Sequence, residues 1–158
     1  MIWGCRILLL ISWSLFWGGL TFYTGFVVRV SHDVLSDSMD GGMITQRITV
    51  LLQWLGVVSC SLMVWNAIVV RRRDRWYGNV LLSCVCILAF SLAGLFVVHG
   101  HLDGVIDTNT AEITDRESFT IGHRRYNQLT TTEWLSSLIY LPVTVFAWRQ
   151  IDRQHSGD

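Results

Sequence analysis

Charge is distributed along the chain in blocks. Residues 7–28, 48–70 and 76–98 contain no Asp, Glu, Lys, Arg or His, giving uncharged runs of 22, 23 and 23 residues. A helix rising 1.5 Å per residue needs roughly 20 apolar residues to cross the hydrocarbon core of a bilayer, so each run is long enough alone. A fourth run, residues 134–148, has 15. It reaches spanning length only when Thr131, Thr132 and the stretch from Arg149 to Ile151 join it. The runs read as helices, because a spanning barrel needs alternating segments of about ten residues. Neither Leu8-Leu9-Leu10-Ile11 nor Ile87-Leu88-Ala89-Phe90 alternates.

The expected fold is therefore all-α: an integral membrane four-helix bundle with spans at about 7–29, 47–70, 76–98 and 131–150. Residues 99–130 form an outer loop between the third and fourth helices, too long for a bare turn and so partly helical. Arg6 followed by an apolar run has the outline of a signal peptide. The small-residue cleavage pattern is missing, however, and the run continues to Val28, which favours a retained first helix.

Composition agrees. Of 158 residues, 51% are hydrophobic and 15% charged, against about 25% charged in an ordinary soluble domain, and the mean hydropathy is +0.42. Eight tryptophans and one proline argue against disorder, and four cysteines are too few for a disulfide scaffold. The twelve basic residues are offset by twelve acidic ones, so the chain lacks the charge of a nucleic-acid binder.

Four spans put both termini on one side. Arg6, Arg71, Arg72, Arg73, Arg75, Arg149 and Arg153 lie there, seven of the twelve arginines; Arg29, Arg47, Arg116, Arg124 and Arg125 lie opposite. The excess places both termini in the cytoplasm, with the short loop 71–75 counting most. Trp3, Trp76 and Trp148 then fall at the cytoplasmic interface and Trp134 at the outer one, while Trp13, Trp17, Trp54 and Trp65 are expected between helices. Ser14, Gly18, Thr21 and Gly25 offer small-residue spacing for close packing of the first helix. Gln53, Asn66 and Asn79, polar groups in or near the second and third spans, are expected to hydrogen-bond a neighbouring helix, and Pro142 is expected to kink the fourth span. No ionisable side chain stands mid-span, so a proton relay or a mid-membrane bis-histidine haem lacks its groups. Thr130 and Glu133 have capping-box spacing at the start of the fourth span, as do Thr114 and Glu117 upstream.

The candidate chemistry lies on the outer face. His32 follows the first span, His99, His101 and Asp103 close the third, and His123 precedes the fourth. Neutral imidazoles beside a carboxylate suit a divalent metal, and His99 and Asp103 share a helical face at i, i+4. These five residues are the candidate ligands for a metal or haem. The plainer expectation is structural hydrogen bonding. Phe119, His123 and Tyr126 fit one face of a short interfacial helix.

Several short strings carry a resemblance: Phe16-Trp17-Gly18-Gly19, Phe22-Tyr23-Thr24-Gly25 and Ile44-Thr45-Gln46-Arg47 in the first half; His99-x-x-Leu102-Asp103, Phe119-x-x-x-His123-Arg124-x-Tyr126, Thr132-x-Trp134 and Ala147-Trp148-Arg149 in the second. Through them the chain resembles small uncharacterised four-span bacterial membrane proteins. It is also loosely similar to a four-span domain of unknown function shared with a eukaryotic transmembrane protein linked to drug resistance. The resemblance implies a four-helix fold in a cell membrane, the inner membrane of a bacterium, and brings no activity with it.

The leading expectation is a non-enzymatic accessory or scaffold subunit, meeting the lipid bilayer, a membrane-protein partner or further copies of itself. A redox component using the outer histidines is one alternative. A small-solute transporter is the other, and it requires a polar path through the bundle.

Overall fold

A computed structural model describes residues 2–34, 38–107 and 112–155. Almost all of them are helical. Helix α1 (Ile2–Phe22) runs through a π-helical segment (Tyr23–Val27) into α2 (Val28–Val34), making one interrupted rod. Helices α3 (Ser38–Arg73), α4 (Arg75–Asp103) and α5 (Arg116–His155) complete the set, and two-residue strands β1 (Ile106–Asp107) and β2 (Glu112–Ile113) pair antiparallel between α4 and α5.

Side-chain ties fix the order of the rods. Ser12 meets Ser59 and Tyr23 meets Thr49, so α1 and α3 are antiparallel. The Trp54 and Phe96 rings meet edge to face, and Gln46 reaches Asp103, so α3 and α4 are antiparallel. A Cβ on Gly94 would touch Leu129 and one on Gly122 would touch Leu102, which sets α5 antiparallel to α4. The result is an up-down-up-down arrangement with a core of Leu9, Phe16, Leu20, Met63, Leu81, Leu88 and Tyr140.

The α3–α4 connection is a single residue. Asp74 leaves the helical conformation (φ −138°, ψ 113°), and its carboxylate accepts from the amides of Trp76 and Tyr77 at 2.9 and 3.1 Å. This is an N-cap that satisfies two of the orphan donors of α4. So tight a reversal presses Gly78 onto the backbone of Arg71, where a Cβ would lie 2.3 Å from Arg71 Cα.

Three helices are long and apolar enough to cross a membrane: Trp3–Ser31, Gln46–Arg73 and Arg75–Asp103. Many of their outward residues are large and apolar, as lipid contact requires. Trp54 and Trp65 belong here, at 60% and 64% exposed, and not between helices as expected. They stand eleven residues apart, on the same outward face of α3. Helix α5 is longer but less apolar, because Arg116, Glu117, Arg124, Arg125 and Glu133 occupy its first half.

Other expectations are corrected. The region 99–130 is mostly helix: α4 continues to Asp103 and α5 begins at Arg116. No separate interfacial helix exists among the described residues, because the segment holding Phe119, His123 and Tyr126 runs unbroken into the last helix and past Pro142. The stripe expected to pack α1 points outward at Ser14, Gly18 and Gly25. Close approaches fall instead at Gly19 against Leu52 and at Gly56 against Phe16. The cap of α5 is Asp115, whose carboxylate accepts from the amides of Glu117 and Ser118 and from the Ser118 hydroxyl. Thr114 and Glu117 form no box; the Thr114 hydroxyl donates to the carbonyl of Val105 and closes the β-ribbon.

Candidate binding site in the bundle interior

The outer candidates separate into two groups. His99 and Asp103 do share a face, with Nε2 3.7 Å from Oδ2. The other carboxylate oxygen of Asp103 accepts from Gln46 Nε2 at 2.6 Å, so this pair ties α3 to the end of α4. His101, two residues on, is exposed. His123 is exposed on α5, and its ring packs against Phe119 with centroids 4.9 Å apart. His32 lies in α2, and its side chain is outside the described residues. Among the described residues, no three of His, Cys, Asp and Glu converge as a metal-ligand group.

The polar chemistry is concentrated inside. The inward face of α5 carries Tyr126, Thr130, Glu133, Ser137, Tyr140 and Thr144, separated by three or four residues, the spacing of one helical face. Two hydrogen-bonded clusters bracket this stripe. Toward the His99 end, the Tyr23 hydroxyl meets Thr49 Oγ1 at 2.9 Å, and the Tyr126 hydroxyl donates to the same atom at 3.5 Å. Toward the other end, Asn66 Nδ2 donates to the Tyr140 hydroxyl (2.8 Å), which donates to the carbonyl of Met63 (2.9 Å). Trp148 Nε1 donates to Asn66 Oδ1 at 2.9 Å. The first helix closes the side: the Ser59 hydroxyl donates to the Ser12 carbonyl, and Trp13 Nε1 donates to the Ser137 carbonyl.

Glu133 stands between the clusters. Thr49 is tied to Tyr126 and Asn66 to Tyr140, so α3 and α5 run parallel, and Glu133, seven residues from each tyrosine, is level with the stretch from Gln53 to Cys60. It is 2% exposed and its Oε1 has no hydrogen-bond partner; Gln53 Nε2, Thr130 Oγ1 and Trp17 Nε1 are likewise buried and unpartnered. A buried polar atom without a partner costs about 1–3 kcal/mol, and more when charged. Ser137 Oγ and Thr144 Oγ1, further along the same face of α5, are also buried and unpartnered, so the inward stripe carries polar atoms whose bonds the protein alone leaves unmade.

Sequence reasoning assigned Thr130 and Glu133 to a helix cap and expected no ionisable group mid-span; the buried Glu133, level with the middle of α3, corrects both. Thr130 and Glu133 lie well inside α5, which starts at Arg116, so there are no free amides at that point to cap. Asn66 and Gln53, expected to bond neighbouring helices, divide: Asn66 does, and Gln53 Nε2 is left open. The signal that could have located the site was the inward polar stripe from Tyr126 to Thr144 taken as a single helical face.

No family model matches the chain, and no curated protein or solved structure matches it at a significant level.

Proposed function

We propose that the chain is a four-span protein of a cell membrane that moves protons, alone or together with a small solute, with Glu133 as the proton-binding group. The observation that carries this reading is the depth of the Glu133 carboxyl, whose Oε1 has no hydrogen-bond partner. Ionisable groups inside membrane bundles are costly and mark ion or proton pathways. The hydroxyl and amide clusters on either side of Glu133 support the reading, because they are the polar groups nearest it along the bundle. The span count rests on the antiparallel order of the rods together with the uncharged run 134–148. The orientation, with both termini and the turn 71–75 in the cytoplasm, rests on the arginine excess at that end.

The test is proton uptake into proteoliposomes. A potassium gradient with valinomycin sets the potential, and a trapped pH dye reports entry. Wild type is expected to acidify the lumen faster than protein-free vesicles, and Glu133→Gln, which keeps the shape but holds no exchangeable acid, is expected to match the empty ones. Equal rates for wild type and empty vesicles, with and without candidate solutes, would overturn the reading.

An accessory-subunit reading is favoured by one feature. Ile121 is exposed on the charged outer stretch of α5, beside the Phe119–His123 ring pair. A partner docking there would be recovered from native membranes in mild detergent and lost with Ile121→Arg.

A further inference from the structure

We propose that the groove between the start of α1 and the end of α5 is a binding site for one anionic phospholipid. The groove is open along one side, has a volume of about 780 Å³ and is lined by Trp3, Arg6, Ile7, Leu10, Val145, Trp148, Arg149, Asp152 and Arg153. That volume falls among those of small-molecule sites, roughly 300–1,000 Å³.

The lining divides along the helix axes. Ile7, Leu10 and Val145 form an apolar floor on the side nearer the middle of the bundle. Arg149 and Arg153, one turn apart on α5, stand at the end. Trp3 and Trp148 flank the boundary, where indoles favour the headgroup level. An apolar floor leading to a cationic rim across an aromatic step matches an acyl chain leading to a phosphate.

The charge count identifies the headgroup. Arg6 is already committed: its guanidinium forms a two-point pair with Asp152 at 2.7 and 2.8 Å and lies 5.5 and 5.0 Å from the Trp3 and Trp148 rings. Asp152 is thereby engaged by Arg6. Arg149 and Arg153 form no ion pair among the described residues. The groove therefore presents two uncompensated guanidiniums, whose forked donors fit phosphate oxygens. A zwitterionic lipid would bring its own cation toward those arginines and so fits less well. The Arg6–Asp152 clasp also holds α1 against α5, which preforms the groove.

Native mass spectrometry of the full chain, delipidated in detergent and offered phosphatidylglycerol and phosphatidylcholine in equal amounts, tests the proposal. Wild type is expected to prefer phosphatidylglycerol by on the order of tenfold, given two arginines near the headgroup. Arg149→Gln with Arg153→Gln is expected to bring the two lipids to parity while the melting temperature in detergent stays unchanged. Changing Arg71, Arg72 and Arg73 to Gln removes more charge from the same end outside the groove, and is expected to leave the preference intact. Three results would each overturn the site: equal binding of both lipids by wild type, a preference that survives the Arg149/Arg153 change, or one that falls equally with the Arg71–Arg73 change. Displacement of the lipid by soluble glycerol phosphate would show a phosphate site with no lipid requirement and would overturn the proposal as well.

Discussion

Glu133 and Tyr140 stand seven residues apart on the same face of α5, in opposite situations. The Tyr140 hydroxyl accepts from Asn66 and donates to the Met63 carbonyl. Tyr140→Phe removes both bonds, and the expected loss is about 0.5–1.5 kcal/mol in a detergent unfolding titration. At Glu133 the sign reverses. Its Oε1 has no partner, so Glu133→Leu is expected to raise stability by about 1 kcal/mol in the same titration while removing proton uptake. Asp115, just before the start of α5, is a third case. The Ser118 hydroxyl and amide hold its carboxyl below the usual carboxylate range. A lowered folded-state pKa contributes stability that is present above the ordinary carboxylate value and lost as pH falls through the lowered one. Exchange protection of the amides from Glu117 to Thr120, corrected for intrinsic rates, is expected to fall over that acidic window, and Asp115→Ala is expected to abolish the dependence. The sequence made Asn66 legible as an interhelical group. It hid Glu133, because a Thr-x-x-Glu pair before an apolar run has the same spelling whether it caps a helix or lies within one.

Among the elements, the three uncharged runs of 22 and 23 residues were legible as helices because their length and lack of charge leave no other option in lipid. Their ends were not, since α4 and α5 continue through residues that charge alone assigns to loop. The face that each helix buries was legible only in part. Small residues signal close packing, but only the neighbouring helix decides which of them it meets. Gly18 and Gly25 meet nothing within 4 Å, whereas a Cβ at Gly78 would strike the Arg71 backbone at 2.3 Å. Gly78→Ala is therefore expected to cost about 1–3 kcal/mol through forced opening of the α3–α4 turn. Gly94→Ala meets only the flexible end of Leu129, at 3.0 Å, and its cost is expected to be smaller; melting both variants beside wild type compares them directly.

At the scale of the whole molecule, the Arg6–Asp152 pair brings the start of α1 and the end of α5 to one end of the bundle, with the turn 71–75, while His99, Asp103 and the β-ribbon mark the other. The proposed orientation makes the second end external. With the four native cysteines replaced, Thr120→Cys is expected to react with an impermeant thiol reagent in intact cells, and a cysteine at Arg72 only after lysis. The reverse pattern would invert the bundle. The proposed sidedness rests on the arginines alone, because the bias that sets orientation acts on short loops whose charge the sequence displays.

The length of α5 has a mechanical consequence. Its 40 residues extend about 60 Å, twice the roughly 30 Å of hydrocarbon. The rod is helical without a break from Arg116 to His155, and the one backbone bond it lacks, at Pro142, lies beyond Glu133 as seen from Arg116. Under the proposed function, a partner that tilted the exposed stretch near His123 would turn the same helix that carries Glu133, with no break between them.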